Sequence, residues 1–128
     1  MKEARVTHTA EGAPEAVGPY SHGTIFEDVL YCSGQVPLDP ESGEIVGETP
    51  AEQATQCLKN LQTVCEEAGT GLEFALRLTI YTTKLEDFAE INDAYAEFFA
   101  DEPPARAAVG VAALPKGALV EIDAMVAT

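Results

Sequence analysis

Thr49-Pro50-Ala51-Glu52-Gln53-Ala54-Thr55-Gln56-Cys57-Leu58-Lys59-Asn60-Leu61-Gln62-Thr63-Val64-Cys65-Glu66-Glu67-Ala68-Gly69 reads as a helix with both of its ends in view. Thr49 is an N-cap, Pro50 suits the first helical position, and Glu52 completes a capping box. Ala54, Leu58, Leu61, Cys65 and Ala68 recur at steps of four and three, which is one helical face. Gly69 stops the helix as the glycine after its last turn. Immediately downstream the period changes from helical to twofold. Over 75–83, Leu76, Leu78 and Ile80 point one way and Arg77, Thr79 and Tyr81 the other, the pattern of a strand. A helix with one apolar stripe followed by an alternating strand predicts helices packed on one face of a sheet.

The rest of the chain extends that pattern. Residues 4–8 predict a short first strand, and Glu11 to Pro19 a loop. Thr24-Ile25-Phe26 and Val29 to Gln35 read as a strand pair around Glu27-Asp28, and Leu38 to Gly43 is rich in turn residues. A second helix is expected over 86–99, with Phe88, Ile91, Tyr95 and Phe98 on its apolar face, ended by Pro103-Pro104. Strands follow at 105–112 and 118–126. The predicted order is β-β-β-α-β-α-β-β, an α+β fold of two layers within one domain, 1–128. Val120, Ile122, Ala124 and Val126 form one apolar face of the last strand, and Leu119, Glu121, Asp123 and Met125 a mixed one. A sheet covered on one side only exposes a semi-apolar face, which predicts a homo-oligomer with sites near subunit boundaries.

Composition narrows the function. The hydrophobic fraction of 46% is that of a globular chain. No apolar run approaches the ~20 residues that cross a bilayer. Met1-Lys2-Glu3-Ala4-Arg5 does not lead into the apolar segment of a signal peptide, so the expectation is a soluble cytoplasmic protein. The net charge of −15, from 22 acidic and 7 basic side chains, repels nucleic acids and anionic membranes. The acid is spread along the chain, which fits a protein adapted to high salt, where ions screen its self-repulsion; a general solubility surface is the plainer reading. Cys32, Cys57 and Cys65 are odd in number and lack CxxC spacing, arguing against a disulfide framework or zinc site. They read as buried small hydrophobes, with Cys32 the one left open as a thiol catalyst.

Two charges sit in the apolar C-terminal runs, Arg106 in Pro104-Ala105-Arg106-Ala107-Ala108-Val109 and Glu121 in Val120-Glu121-Ile122. If the runs form one hairpin, both face one cavity. The plainer reading of Arg106 is an ion pair with Glu121; the functional one is a bidentate clamp on a substrate carboxylate. Glu121 is either a solvent-facing strand residue, like Asp123, or an acid–base group acting through water. Tyr20, in Gly18-Pro19-Tyr20-Ser21-His22, packs on a turn or closes a pocket. Ser33 and Gly34 end a strand or hold substrate oxygens; no GxSxG elbow makes Ser33 a nucleophile. Asn92 is solvated on its helix or lines a cleft. His22 reads as structural, and no spacing supports a metal.

Taken in order, Gly18-Pro19-Tyr20-Ser21, Ser33-Gly34-Gln35-Val36-Pro37-Leu38-Asp39-Pro40, Asn60-Leu61, Ala68-Gly69, Asn92-Asp93-Ala94-Tyr95 and Pro104-Ala105-Arg106 through Leu114-Pro115-Lys116-Gly117 to Val120-Glu121-Ile122 resemble the Rid, or YjgF-like, family of reactive intermediate deaminases. The resemblance spans nearly the whole chain. It implies a chorismate-mutase-like fold, a homotrimer with clefts between subunits, no cofactor, and hydrolysis of 2-iminobutanoate and 2-iminopropanoate to 2-oxo acids and ammonia. It also implies Arg106 as carboxylate clamp, Glu121 as water handler, and Tyr20, Ser33, Gly34, Asn92 and Ala108 as cleft lining. Ala108 stands where many members carry cysteine, so a thiol there is excluded, and its backbone groups remain. Arg77 stands where lysine is common, and His22 where glutamine is. The alternative is a non-catalytic 2-oxo acid-binding regulator, or a chaperone-like or ribonuclease-like protein; the acidic surface opposes RNA contact.

Overall fold

A computed structural model describes residues 4–99 and 101–128. The elements are β1 (Val6–His8), β2 (Gly23–Phe26), β3 (Val29–Gln35), α1 (Pro50–Glu67), β4 (Ala75–Thr82), α2 (Phe88–Ala96), β5 (Ala105–Gly110) and β6 (Val120–Ala127). Both ends of α1 form as its sequence dictates. Thr49 Oγ1 accepts from the Glu52 N–H at 3.2 Å, and the Glu52 carboxylate accepts from the Thr49 N–H at 3.2 Å. At the far end Gly69 takes φ 85°, its N–H bonding to the Glu66 carbonyl while the Thr70 N–H reaches back to Cys65, both at 3.0 Å. This double bond pattern satisfies carbonyls that the helix leaves open.

Six strands make one mixed sheet in the order β1-β2-β3-β6-β4-β5. The β4–β5 pair is parallel and the other pairs antiparallel. β4 reaches β5 through α2, the kind of crossover that parallel neighbours need. Leu58, Leu61, Val64, Leu78, Ile80, Ile91, Val120, Ile122 and Val126 are fully buried between the helices and the sheet. Among the described residues no helix covers the other face, and Tyr31, Phe26 and Met125 are exposed on it. This is the expected α+β arrangement, with helices on one side only.

Three local expectations are corrected. Residues 105–112 and 118–126 do not form a hairpin, because β4 lies between β5 and β6. Leu76 is exposed rather than in the apolar row: Ala75 pairs with Val126 and Arg77 with Met125, so Leu76 is the extra residue of a β-bulge. The second helix ends at Ala96, not Phe99. Bonds from the Phe98 and Phe99 N–H groups to carbonyls three residues back tighten the chain. Phe99 then stacks 4.6 Å from the Tyr95 ring and is the more buried of the two phenylalanines.

Candidate active site

Glu121 and Asp123 alternate with the buried residues of β6, so both face the helix-free side of the sheet. Beside them the pairing of β3 with β6 lapses between Cys32 and Gln35, and Ser33 and Gly34 fill the gap. Glu121 lies against Gly34. A β-carbon there would collide with the Glu121 Oε2 and come within 3.0 Å of its Cδ. Glycine at 34 is therefore the condition for this placement of the carboxylate. Together with Tyr20, Val36 and Lys116 they line a cavity of about 360 Å³, within the range of small-molecule sites. Burial, then the negative charge of Asp123, pushes the Glu121 carboxyl above its ordinary range.

The cavity walls are fastened from behind. Asn60, buried on the apolar face of α1, donates from Nδ2 to the Val36 and Leu38 carbonyls at 3.2 and 3.0 Å. His22 is buried, and its Nδ1 accepts from the Ala10 N–H at 2.9 Å. The ring proton therefore sits on Nε2, which donates to the Pro14 carbonyl at 2.8 Å. His22 thus ties down the loop whose Pro14 walls the cavity, in keeping with a structural role. The Ser33 hydroxyl donates to the Ser21 carbonyl at 2.6 Å, so Ser33 Oγ offers lone pairs to a ligand rather than its proton. Tyr20 is 46% exposed at the cavity, its hydroxyl accepting from the Val17 N–H at 3.4 Å.

Arg106 lies elsewhere. Its register partner on β4 is Leu78, which faces the helices, whereas Glu121 pairs with Tyr81 on the opposite face. The expectation that Arg106 and Glu121 share one cavity through a hairpin fails within one chain: they point to opposite faces, two strands apart. Arg106 instead stands at the sheet edge against α2. Its Nη1 donates to Asn92 Oδ1 at 2.7 Å. Its guanidinium carbon lies 4.8 Å from the Tyr95 ring centroid and 5.2 Å from that of Phe88. Two aromatic rings and one amide hold the fork in place and leave its remaining N–H groups available. Ala108, two residues along β5, follows on the same face and is exposed. The structure therefore makes two clusters: Tyr20, Ser33, Gly34 and Glu121 at the cavity, and Arg106, Asn92 and Ala108 at the edge.

Cys32 does not join either cluster. It is buried on the helix-facing side of β3, and a hydrogen bond with Cys65, together with burial, pushes its thiol up, which removes it as a nucleophile. Cys57 and Cys65 are buried as the helical pattern predicts. Sequence reading missed Phe88 and Tyr95 as the cradle of Arg106, Asn60 as a wall anchor, and Asp123, which is partly buried and bonded rather than merely solvated. The signal for Asn60 was present as a polar residue inside an apolar helical stripe. Among the described residues, no group of three His, Cys, Asp or Glu side chains is placed to hold a metal ion, and no helix is long and apolar enough to cross a membrane.

Known proteins share this arrangement of chain. A protein of the RutC family, y4sK of Sinorhizobium fredii, is 51% identical over 89% of this chain and 90% of its own length. The human 2-iminobutanoate/2-iminopropanoate deaminase is 41% identical over 94% of this chain and 88% of its own. The crystal structure of RidA from an Antarctic Psychrobacter superposes with a TM-score of 0.91 at 38% identity, covering 95% of this chain and 98% of that one. The family model described as Endoribonuclease L-PSP matches residues 10–128. On this match and these relatives, the chain belongs to the endoribonuclease L-PSP family, the family of the Rid and YjgF-like proteins.

Proposed function

We propose that this protein hydrolyses reactive 2-imino acids, such as 2-iminobutanoate and 2-iminopropanoate, to 2-oxo acids and ammonia. The observation that carries the reading is Glu121, a half-buried carboxylate at the wall of a substrate-sized cavity, made more basic than usual by its burial. The human relative that bears a deaminase name supports the same substrate class. A protonated imine conjugated to a carboxylate is already electrophilic, so orientation and one proton-handling group suffice. Glu121 takes a proton from water as its oxygen adds to the imine carbon. The resulting carbinolamine receives that proton on nitrogen; as the C–N bond breaks, its hydroxyl proton passes back to Glu121 and on to the departing ammonia, leaving a 2-oxo acid and ammonium. Ser33 Oγ, with its proton committed to Ser21, suits acceptance of an N–H from the substrate.

The clamp for the substrate carboxylate is Arg106, and in this reading it comes from a second copy of the chain. The cavity and the arginine lie on opposite faces, and the uncovered sheet face carries exposed Tyr31 and Met125 that a neighbour would bury. A head-to-tail ring, a trimer by family resemblance, sets the edge strand of one copy against the cavity of the next. The acidic surface opposes the ribonuclease role that the family description names.

The test uses freshly generated 2-iminopropanoate with Arg106→Ala and Glu121→Gln proteins. Each alone is expected to lose measurable hydrolysis. Unfolded together and refolded, they regain about a quarter of the wild-type rate, the chance that a cleft draws its intact arginine and glutamate from different copies. Near-wild-type turnover by Arg106→Ala removes the clamp. Two inactive variants whose mixture stays inactive overturn the shared cleft. A wild-type protein that binds 2-oxo acids without turnover is a sensor rather than an enzyme.

A further inference from the structure

Glu121 has a second carboxylate as a neighbour. Asp123 stands two positions along β6 on the same face, roughly 7 Å further along the strand. Across on β4, Tyr81 is the register partner of Glu121 and Thr79 that of Asp123. Tyr81 reaches diagonally: its hydroxyl donates to Asp123 Oδ2 at 2.9 Å. Its ring therefore spans the gap between the two carboxylates. On the other side Gly34 packs against Glu121, so the working carboxylate is bounded by Gly34 and Tyr81.

We propose that Tyr81 and Asp123 are positioning residues for Glu121, a clamp that holds one negative charge fixed beside the working carboxylate and so raises, beyond the effect of burial, the pH at which it takes up its proton. The proposal rests on the base role given to Glu121 above. A like charge nearby disfavours ionisation, and an aspartate tied to a phenol cannot swing away to relieve it. Burial first, and the hydrogen bond to Asp123 second, keep the Tyr81 hydroxyl protonated, so it remains a donor. The other polar groups facing Glu121 come from every neighbouring element. Glu15, Tyr20 and Lys116 line the cavity, with the Lys116 ammonium donating to the Gly43 carbonyl at 2.7 Å. The Cys57 thiol of α1 approaches from the core side and stays protonated through burial and the charge of Glu121. Glu15 and Lys116 are opposite in sign. Asp123 is the like charge on Glu121's own strand face, and no cation among these groups is bonded to it.

The sign follows from the direction of the shift. A base that holds its proton to higher pH loses activity, as pH falls, earlier than an ordinary carboxylate. Removing the Asp123 charge extends activity to lower pH. Two measurements read this. One is the acidic limb of kcat/KM for 2-iminopropanoate. The other is the 13C titration of the Glu121 carboxyl in folded protein labelled at glutamate, assigned with Glu121→Gln. Asp123→Asn is expected to lower both midpoints by about half a pH unit, the Coulomb energy of a partly solvated charge at this spacing. Tyr81→Phe moves the midpoint toward the Asp123→Asn value, and the Asp123→Asn shift is smaller in the Tyr81→Phe background than alone. An unmoved carboxyl midpoint in Asp123→Asn overturns the proposal, as do strictly additive shifts. A carboxyl midpoint that moves in a protein without imine turnover keeps the clamp and removes the base role of Glu121.

Discussion

At Gly34 a hydrogen stands where any other residue would place a β-carbon, and the Glu121 carboxylate occupies the space. Gly34→Ala is therefore expected to push Glu121 aside rather than to unfold the protein, because the colliding atoms end a flexible side chain. Misplacement of an acid–base group by about 1 Å costs on the order of 100-fold, so kcat/KM on 2-iminopropanoate falls by that factor while the melting temperature changes little. A loss of stability with unchanged kinetics in the surviving fold counts against this account of Gly34. Single residues were legible in the sequence where they broke a pattern. Arg106 and Glu121 stood out as charges in apolar strands, and Gly34 as a glycine ending a strand. Asp123 and Tyr81 did not stand out, because each keeps the ordinary polar–apolar alternation of its strand. Only the diagonal hydrogen bond between strands gives them a joint role.

Among the elements, α1 was legible almost to the residue. Its caps are local: the groups that start and stop it lie within five positions of their partners. Gly69, at φ 85°, is the one place in that motif where a side chain is strained. Gly69→Ala is expected to cost about 1 kcal/mol, read as a lower urea midpoint at unchanged slope. A variant as stable as wild type would falsify the cap assignment. The strand β4 and the helix α2 were legible in kind but not in detail. Leu76 falls out of the apolar row because a bulge shifts the register, and the register belongs to the pairing with β6. α2 stops short because its last N–H groups, those of Phe98 and Phe99, bond three residues back rather than four, a tightening of the final turn that the apolar spacing of Phe88, Ile91, Tyr95 and Phe98 does not encode.

At the scale of the whole molecule, charge and strand order matter most. The −15 net charge predicts a melting temperature that climbs from low salt to molar potassium chloride as ions screen the acidic surface. A flat curve counts against adaptation to high salt. The chain alone determined the two helices, the α+β class, the one-sided sheet and the residues worth testing. Each of these rests on periodicity or on bonds within a few residues. It did not determine which strands lie side by side. Arg106 and Glu121 are close in sequence and invite a hairpin, yet α2 returns the chain parallel to β4, which then separates β5 from β6. That non-local pairing alone decided that the arginine faces the helices and α2, while the glutamate faces the open side. The physical reason is that register and strand order are settled by burying the apolar faces of distant segments together, and no window of sequence contains both partners.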